Sequence, residues 1–327
     1  MLRRSILPLL KKILDRGLID RFYFVRYSLG GPHIRLRWRL ANQDALPFAE
    51  AALAEAASQF FSLYPSTKPL PRDEIQKLNE RMLLLHADAS GPQEEDGIFD
   101  DNSWRPSSPL FEVARYGGWG RLGASLDLFC LSSANVLRLM VERESWSAGW
   151  ERSIFMRLAL HLAWGLVEDE DEFLAVAGYC VRKSEGPYQR VIAEANAFFD
   201  KQSPQITALV HEELEKGDVE LVGHLDQGSS MLANQIRSLE WPKRHHLASS
   251  HLHMTANRLG LNNAEEAYVL RILWRACTSL RLQRPQDWAA FLNRRGERGH
   301  MARHGNSFER MISVTLRELC RPAQAVT

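Results

Sequence analysis

Cysteine, chelating motifs and long apolar runs are scarce in this 327-residue chain, and each scarcity removes a class of protein. The four cysteines, Cys130, Cys180, Cys277 and Cys320, stand far apart among apolar neighbours, with no spacing of a zinc or redox motif. In a chain of this length, so few argue against a disulfide framework and read as buried thiols in a reducing cytoplasm. No stretch reaches the ~18 apolar residues of a membrane span. Residues 1–16 lack the apolar core and cleavage site of a signal peptide. There is no glycine-rich phosphate loop and no Ser-His-Asp arrangement. A net charge of +1 gives no global basic field for nucleic acid.

What is present is an ordinary globular composition, 45% hydrophobic and 25% charged, which supports a large core. One segment stands out. His33, Arg35, Arg37 and Arg39 alternate with Ile34, Leu36, Trp38 and Leu40. A period of two defines a strand whose successive side chains take opposite faces. One face is apolar; the other lines up an imidazole and three guanidiniums. Like charges on one face repel, so they ask for anionic company: a substrate, nearby carboxylates, or only solvent on a cation-guarded edge.

Around that strand, residues 2–16 read as an amphipathic helix stopped by Gly17. Residues 21–27 are aromatic and β-branched, so they read as a strand, and Gly30, Gly31 and Pro32 turn it into a hairpin. Residues 47–63 are an alanine-rich helix. Residues 72–85 have helical composition, although 82–86 also suits a strand. Residues 88–109 form a long polar, acidic segment, either a surface loop or a lid. Residues 111–116 look extended and end at Gly117 and Gly118. Helices are expected over 122–141, 146–167, 168–183, 188–199, 204–216, 231–239, 245–258, 264–280 and 308–319, with a basic loop at 293–306. Strands first and helices later argue an α+β fold, an N-terminal antiparallel sheet with packed helices followed by a mostly helical body. We read one domain over 1–327, with the sheet in 1–120 and the helical part with its basic C-terminal tail in 121–327.

Two further segments accompany the arginine strand: Glu112-Val-Ala-Arg115-Tyr116-Gly-Gly, and His253-Met-Thr-Ala-Asn257-Arg-Leu. His253 and Asn257 are four apart and share a helix face. Taken in order, Phe24-Val-Arg26-Tyr, Gly31-Pro-His33-Ile-Arg35-Leu-Arg37 and these two segments resemble the C-terminal region of class I lantibiotic dehydratases. That region also occurs as free-standing proteins in thiopeptide-type bacteriocin pathways. The resemblance spans roughly residues 9–276. It implies a glutamate-eliminating enzyme. A partner domain esterifies Ser or Thr of a precursor peptide with glutamate from glutamyl-tRNA. The elimination domain then removes the Cα proton and expels glutamate, leaving dehydroalanine or dehydrobutyrine.

By the same resemblance Arg35, Arg37, Glu112, Arg115 and His253 are the catalytic positions, with His33, Arg26, Tyr116 and Asn257 as substrate-binding neighbours. The chemistry suits them. A peptide Cα–H is a very weak acid and needs a positioned base and a stabilised enolate oxygen. The leaving group is a carboxylate, which guanidiniums bind with fixed two-point geometry. Implied partners are a leader-bearing precursor peptide and a glutamylating dehydratase. Neither tRNA contact, membrane, metal nor organic cofactor is implied, and a homodimer is admissible. The bland readings stand beside this: Glu112–Arg115 as a plain ion pair, His253 as a structural histidine, Arg39 as a solvated edge charge. A second branch of the family, the pyridine synthases, performs a formal [4+2] cycloaddition between two dehydroalanines. A non-catalytic leader- or partner-binding subunit is the third reading. Against the family pattern the chain starts almost at its first helix, so that a first aromatic strand is missing or the start is mis-set, and it carries Ser132-Ser133 where Asp-Ser is usual.

Overall fold

The computed structural model describes residues 1–85, 97–107, 111–142, 149–167, 170–216, 225–236, 238–286 and 308–320. A π-helical turn, Leu2–Ile6, runs into helix α1 (Leu7–Asp15). Strands β1 (Ile19–Tyr27) and β2 (His33–Leu40) follow, then α2 (Leu46–Leu63) and α3 (Arg72–Leu85). The helical body comprises α4 (Trp119–Glu142), α5 (Trp150–Leu166), α6 (Glu170–Glu185), α7 (Gln189–Lys216), α8 (Leu225–Ile236), α9 (Trp241–Leu259), α10 (Asn263–Gln283) and α11 (Phe308–Cys320). The fold is α+β, a two-stranded antiparallel sheet followed by a helical body.

Three expectations need correction, and the expected break near residue 202 is present. Residues 111–116 are not a strand; they form a turn leading into α4, with Gly118 N–H donating to Val113 O and both Gly117 and Gly118 at positive φ. Phe111 and Val113 alternate because both pack into an aromatic cluster, not because a ladder pairs them. Residues 72–85 are helical, so a strand through residues 82–85 is excluded. The helices expected over 188–199 and 204–216 are both present, as the two arms of α7, and they meet at a kink where Gln202 leaves helical geometry two residues before Pro204. Finally, Trp119–Val141 is long and apolar enough to cross a membrane by length and composition, yet it is mostly buried as the central helix of the core. The expected basic loop at 293–306 and residues 88–96 of the polar segment lie outside the described residues.

The hairpin register pairs Tyr27 with His33, Val25 with Arg35, Tyr23 with Arg37 and Phe24 with Leu36. On the core face Phe22 and Phe24 are fully buried, and Ile34, Leu36 and Trp38 pack against the same apolar cluster. The outer edge of β1 is fastened to the body by side chains. Phe24 N–H donates to Ser133 Oγ of α4 (3.2 Å), and Arg258 Nε of α9 donates to Phe24 O (3.1 Å). Asn257 clamps the next outward residue from both sides. Arg26 N–H donates to its Oδ1 (2.8 Å), and its Nδ2 donates to Arg26 O (2.7 Å). Gly260 ends α9 in the left-handed region, with φ +95°, a conformation that favours glycine.

The Asn257 clamp is a stability element. Asn257→Ala leaves the Arg26 peptide groups without partners and is expected to cost about 1–3 kcal/mol. Denaturant unfolding should show a lower midpoint with an unchanged slope; an unchanged midpoint would mean that the hairpin holds itself.

Candidate active site

A cleft of about 1170 Å³ runs along β2. His33, Arg35 and Arg37 line it, with Tyr23 and Arg21 from β1 and Asp127 from α4. Leu9 of α1 and Leu53 and Phe61 of α2 add apolar lining, and residues 98–107, with Asp100, Asp101 and Arg105 among them, border the cleft as well. The Arg35 guanidinium lies over the Tyr27 ring at 3.6 Å, and its Nε donates to His33 Nε2 at 3.1 Å. His33 Nδ1 lies 2.7 Å from Gly31 O. A ring that accepts at Nε2 and donates at Nδ1 is neutral, so His33 is a spacer that orients Arg35. Phe99 packs edge-on against His33, and its N–H donates to Gly30 O. Gly30 has to be glycine: its φ is +84°, and a Cβ would lie 2.6 Å from the Phe99 ring. Arg39 forms a two-point bond with Asp20 (2.7 and 2.6 Å), and Arg21 pairs with Asp127. Cys130 also borders the cleft, but its thiol is buried, and burial pushes its pKa up to about 12.

A second polar group sits on the far side of Tyr23. Arg115 Nη1 donates to Glu112 Oε2 (2.9 Å), and its Nε donates to Ser250 Oγ of α9 (2.9 Å). Burial works against the Arg115 charge, but Tyr116, Glu112 and Glu266 outweigh it and its pKa stands above the ordinary value. His253 Nδ1 meets Glu266 Oε2 at 2.7 Å. Among the described residues Nε2 of His253 has no hydrogen-bond partner, and the side chain is about one-third exposed. A carboxylate that holds one ring nitrogen fixes the tautomer and leaves the other available for proton exchange.

Glu266 escaped the sequence reading. Its position follows from the α9–α10 turn: Gly260 reverses the chain, and Asn262 with Glu265 forms a capping box that starts α10. The first turn of α10 is thereby aimed back at α9. The Asn-x-x-Glu spacing predicts the helix start, but nothing in it names His253 as the partner of the following glutamate.

The structure thus distributes the nine candidate residues over four places. His33, Arg35 and Arg37 line the cleft. Glu112, Arg115 and His253 form the second group and do not line it. Arg26 and Asn257 bond each other in the strand clamp, also away from the cleft lining. Tyr116 lies buried beneath the second group, in a cluster with Phe129 and His251. Between the first two groups stand Tyr23 and Phe111, which line the cleft and pack in the cluster that contains Met254, the residue after His253. Among the described residues no three His, Cys, Asp or Glu side chains group as metal ligands.

With this geometry in place, comparison with known proteins identifies the class. The family described as lantibiotic biosynthesis dehydratase C-term matches residues 1–277, so the chain belongs to that family. Among solved structures it is similar to a pyridine synthase, TbtD, from thiomuracin biosynthesis: 14% identity over 85% of this chain and 93% of that one, TM-score 0.59. It is also similar to the tRNA-dependent lantibiotic dehydratase MibB from Microbispora sp. 107891: 18% identity over 87% of this chain and 27% of that one, TM-score 0.54. At these identities the likeness is one of fold. No curated protein matches the sequence.

The buried His251 beside this site gives a pH prediction. Burial, then the charges of Arg258 and Arg115, lower its pKa to about 3, so it is neutral in the fold. Between about pH 6.5 and 3 the unfolded chain binds a proton there that the fold refuses. Stability is therefore full above the unfolded pKa and falls as pH drops, by up to about 1.4 kcal/mol per unit. The difference between unfolding midpoints at pH 7 and pH 5 should shrink in His251→Gln; an equal difference in both proteins would show that His251 charges freely in the fold.

Proposed function

We propose that this protein eliminates glutamate from glutamylated Ser or Thr of a ribosomally made peptide, as the separate second half of a split dehydratase. The observation that carries the reading is the cleft wall in which Arg35 and Arg37 stand two residues apart on one strand face. The departing group is a carboxylate with a second carboxylate on its side chain, and two guanidiniums at strand spacing complement such an anion. In the reaction the Cα–H bond breaks toward His253 Nε2, the electron pair forms the Cα=Cβ bond, and the Cβ–O bond breaks to release glutamate. Glu266 holds His253 at Nδ1 and so leaves Nε2 as the accepting nitrogen. Arg115, tied to Glu112 and Ser250, stands close enough to Glu266 to interact with its charge. Phe111 lines the cleft and packs in the cluster that includes Met254, the residue after His253, and the proposed route from the cleft to His253 runs there. The precursor with its leader and a glutamylating partner are the expected company, and tRNA meets the partner.

A second reading, cycloaddition between two dehydroalanines, is favoured by one observation: the chain covers nearly the whole of a pyridine synthase and 27% of a dehydratase. Retention of a carboxylate clamp argues for elimination, since cycloaddition has no glutamate to hold.

Arg35→Ala, Arg37→Ala and His253→Ala should each slow conversion of a glutamylated synthetic peptide to its dehydroalanine product, read by mass loss. The histidine variant should lose on the order of 10²–10⁴-fold while still binding the peptide. Glu266→Gln should shift the pH profile of the rate more than it changes KM. Unchanged turnover in all four variants would remove the assignment, and closure of a dehydroalanine-bearing thiazole peptide without action on glutamyl esters would replace it with cycloaddition.

A further inference from the structure

The sheet has two strands, and their two outer edges differ. The outward peptide groups of β1 belong to Phe24 and Arg26, because those are the groups that Ser133, Arg258 and Asn257 bind. In an antiparallel pair, directly opposed residues either bond each other or both point outward. Phe24 opposes Leu36, and Arg26 opposes Ile34. The N–H and C=O groups of Ile34 and Leu36 therefore point away from β1, and by alternation so do those of Trp38. Among the described residues no strand lies on that side. The cleft does: the whole run from His33 to Arg39 borders it, side chains of both faces together, as happens when a cavity follows a strand edge rather than one face.

The geometry points to an occupant: an extended peptide segment, alternating acidic and apolar, that joins the sheet as a third strand along β2. This rests on the reading that the protein acts on a peptide, and it names how that peptide is held. An added strand places alternate side chains on the two faces. On one face they meet Arg35 and Arg37, so acidic residues fit; on the other they meet Ile34, Leu36 and Trp38 with Leu9, Leu53 and Phe61 behind, so apolar residues fit. The eight residues of β2, at roughly 3.3 Å each, offer a track about as long as an octapeptide. A second copy of this chain is the poorer occupant. Pairing two β2 edges sets guanidiniums opposite guanidiniums, which is destabilising.

The test uses a fluorescent octapeptide of alternating Glu and Val, with blocked ends and no Ser or Thr, so that no elimination can occur. Anisotropy should show binding that a Lys–Val counterpart lacks. Two further versions carry N-methyl groups, one on every Glu nitrogen and one on every Val nitrogen. Only one alternate set of N–H groups faces β2, so one version should bind about tenfold or more weakly while the other stays within about twofold of the parent. Equal affinity of the two methylated versions, or no preference for the acidic peptide, overturns the inference. Elimination is read separately on glutamylated peptides, so failure of the reaction and failure of edge pairing are told apart.

Discussion

The architecture depends on how one strand edge is closed. The Asn257 carboxamide occupies the outward peptide groups of Arg26, and the Arg258 guanidinium, fully buried, reaches Phe24 O and Ser132 Oγ. These side chains do for β1 what a neighbouring strand would do. Because α9 supplies them, the position of the hairpin on the helical body is fixed to within a hydrogen bond. Three consequences follow from that seating: the edge of β2 opens into the cleft, the guanidinium face lies beside α4, and His253 stands one helical turn from the clamp.

The seating carries an electrostatic cost. Arg258 has no carboxylate among its hydrogen-bond partners; it lies over the Phe129 ring at 4.7 Å, and its Nη2 is buried without a partner. Burial lowers its pKa to about 10, against the opposing influence of Tyr116, Tyr23 and Cys130. It remains cationic near neutral pH, and its field helps to keep His251 neutral. A buried charge held by carbonyl, hydroxyl and ring is tolerable only when the geometry is rigid. The aromatic cluster of Tyr116, Phe129 and Tyr23 supplies that rigidity.

Much of the fold was legible because its signals are local. Period two in residues 33–40 and the Gly30-Gly31-Pro32 turn define the hairpin, and 3.6-residue periodicity defines the helices. Residues 111–116 misled because alternation there arises from packing into the aromatic cluster. The break expected between residues 199 and 204 is present as the kink of α7 at Gln202, because Pro204 lacks the N–H that would continue the helical hydrogen bonds. At the site, the face of Arg35 and Arg37 was readable from spacing, and the resemblance drew attention to His253. The Glu266 partnership was not readable, because it arises from a reversal at Gly260 that brings two helices together. Nor does any local pattern reveal that Asn257 and Arg26 bind each other across more than two hundred residues of chain.

One quiet feature of the cleft bears on its durability. Under the proposed reaction the product is an α,β-unsaturated amide, a Michael acceptor that thiolates attack. Cys130 borders the cavity in which that product forms, yet its sulfur is enclosed and stays protonated near neutral pH. Cys277 is likewise enclosed, with its thiol pushed still higher by burial. If that reaction is the one performed, the enclosure of Cys130 and Cys277 withholds these two thiols from alkylation by its product.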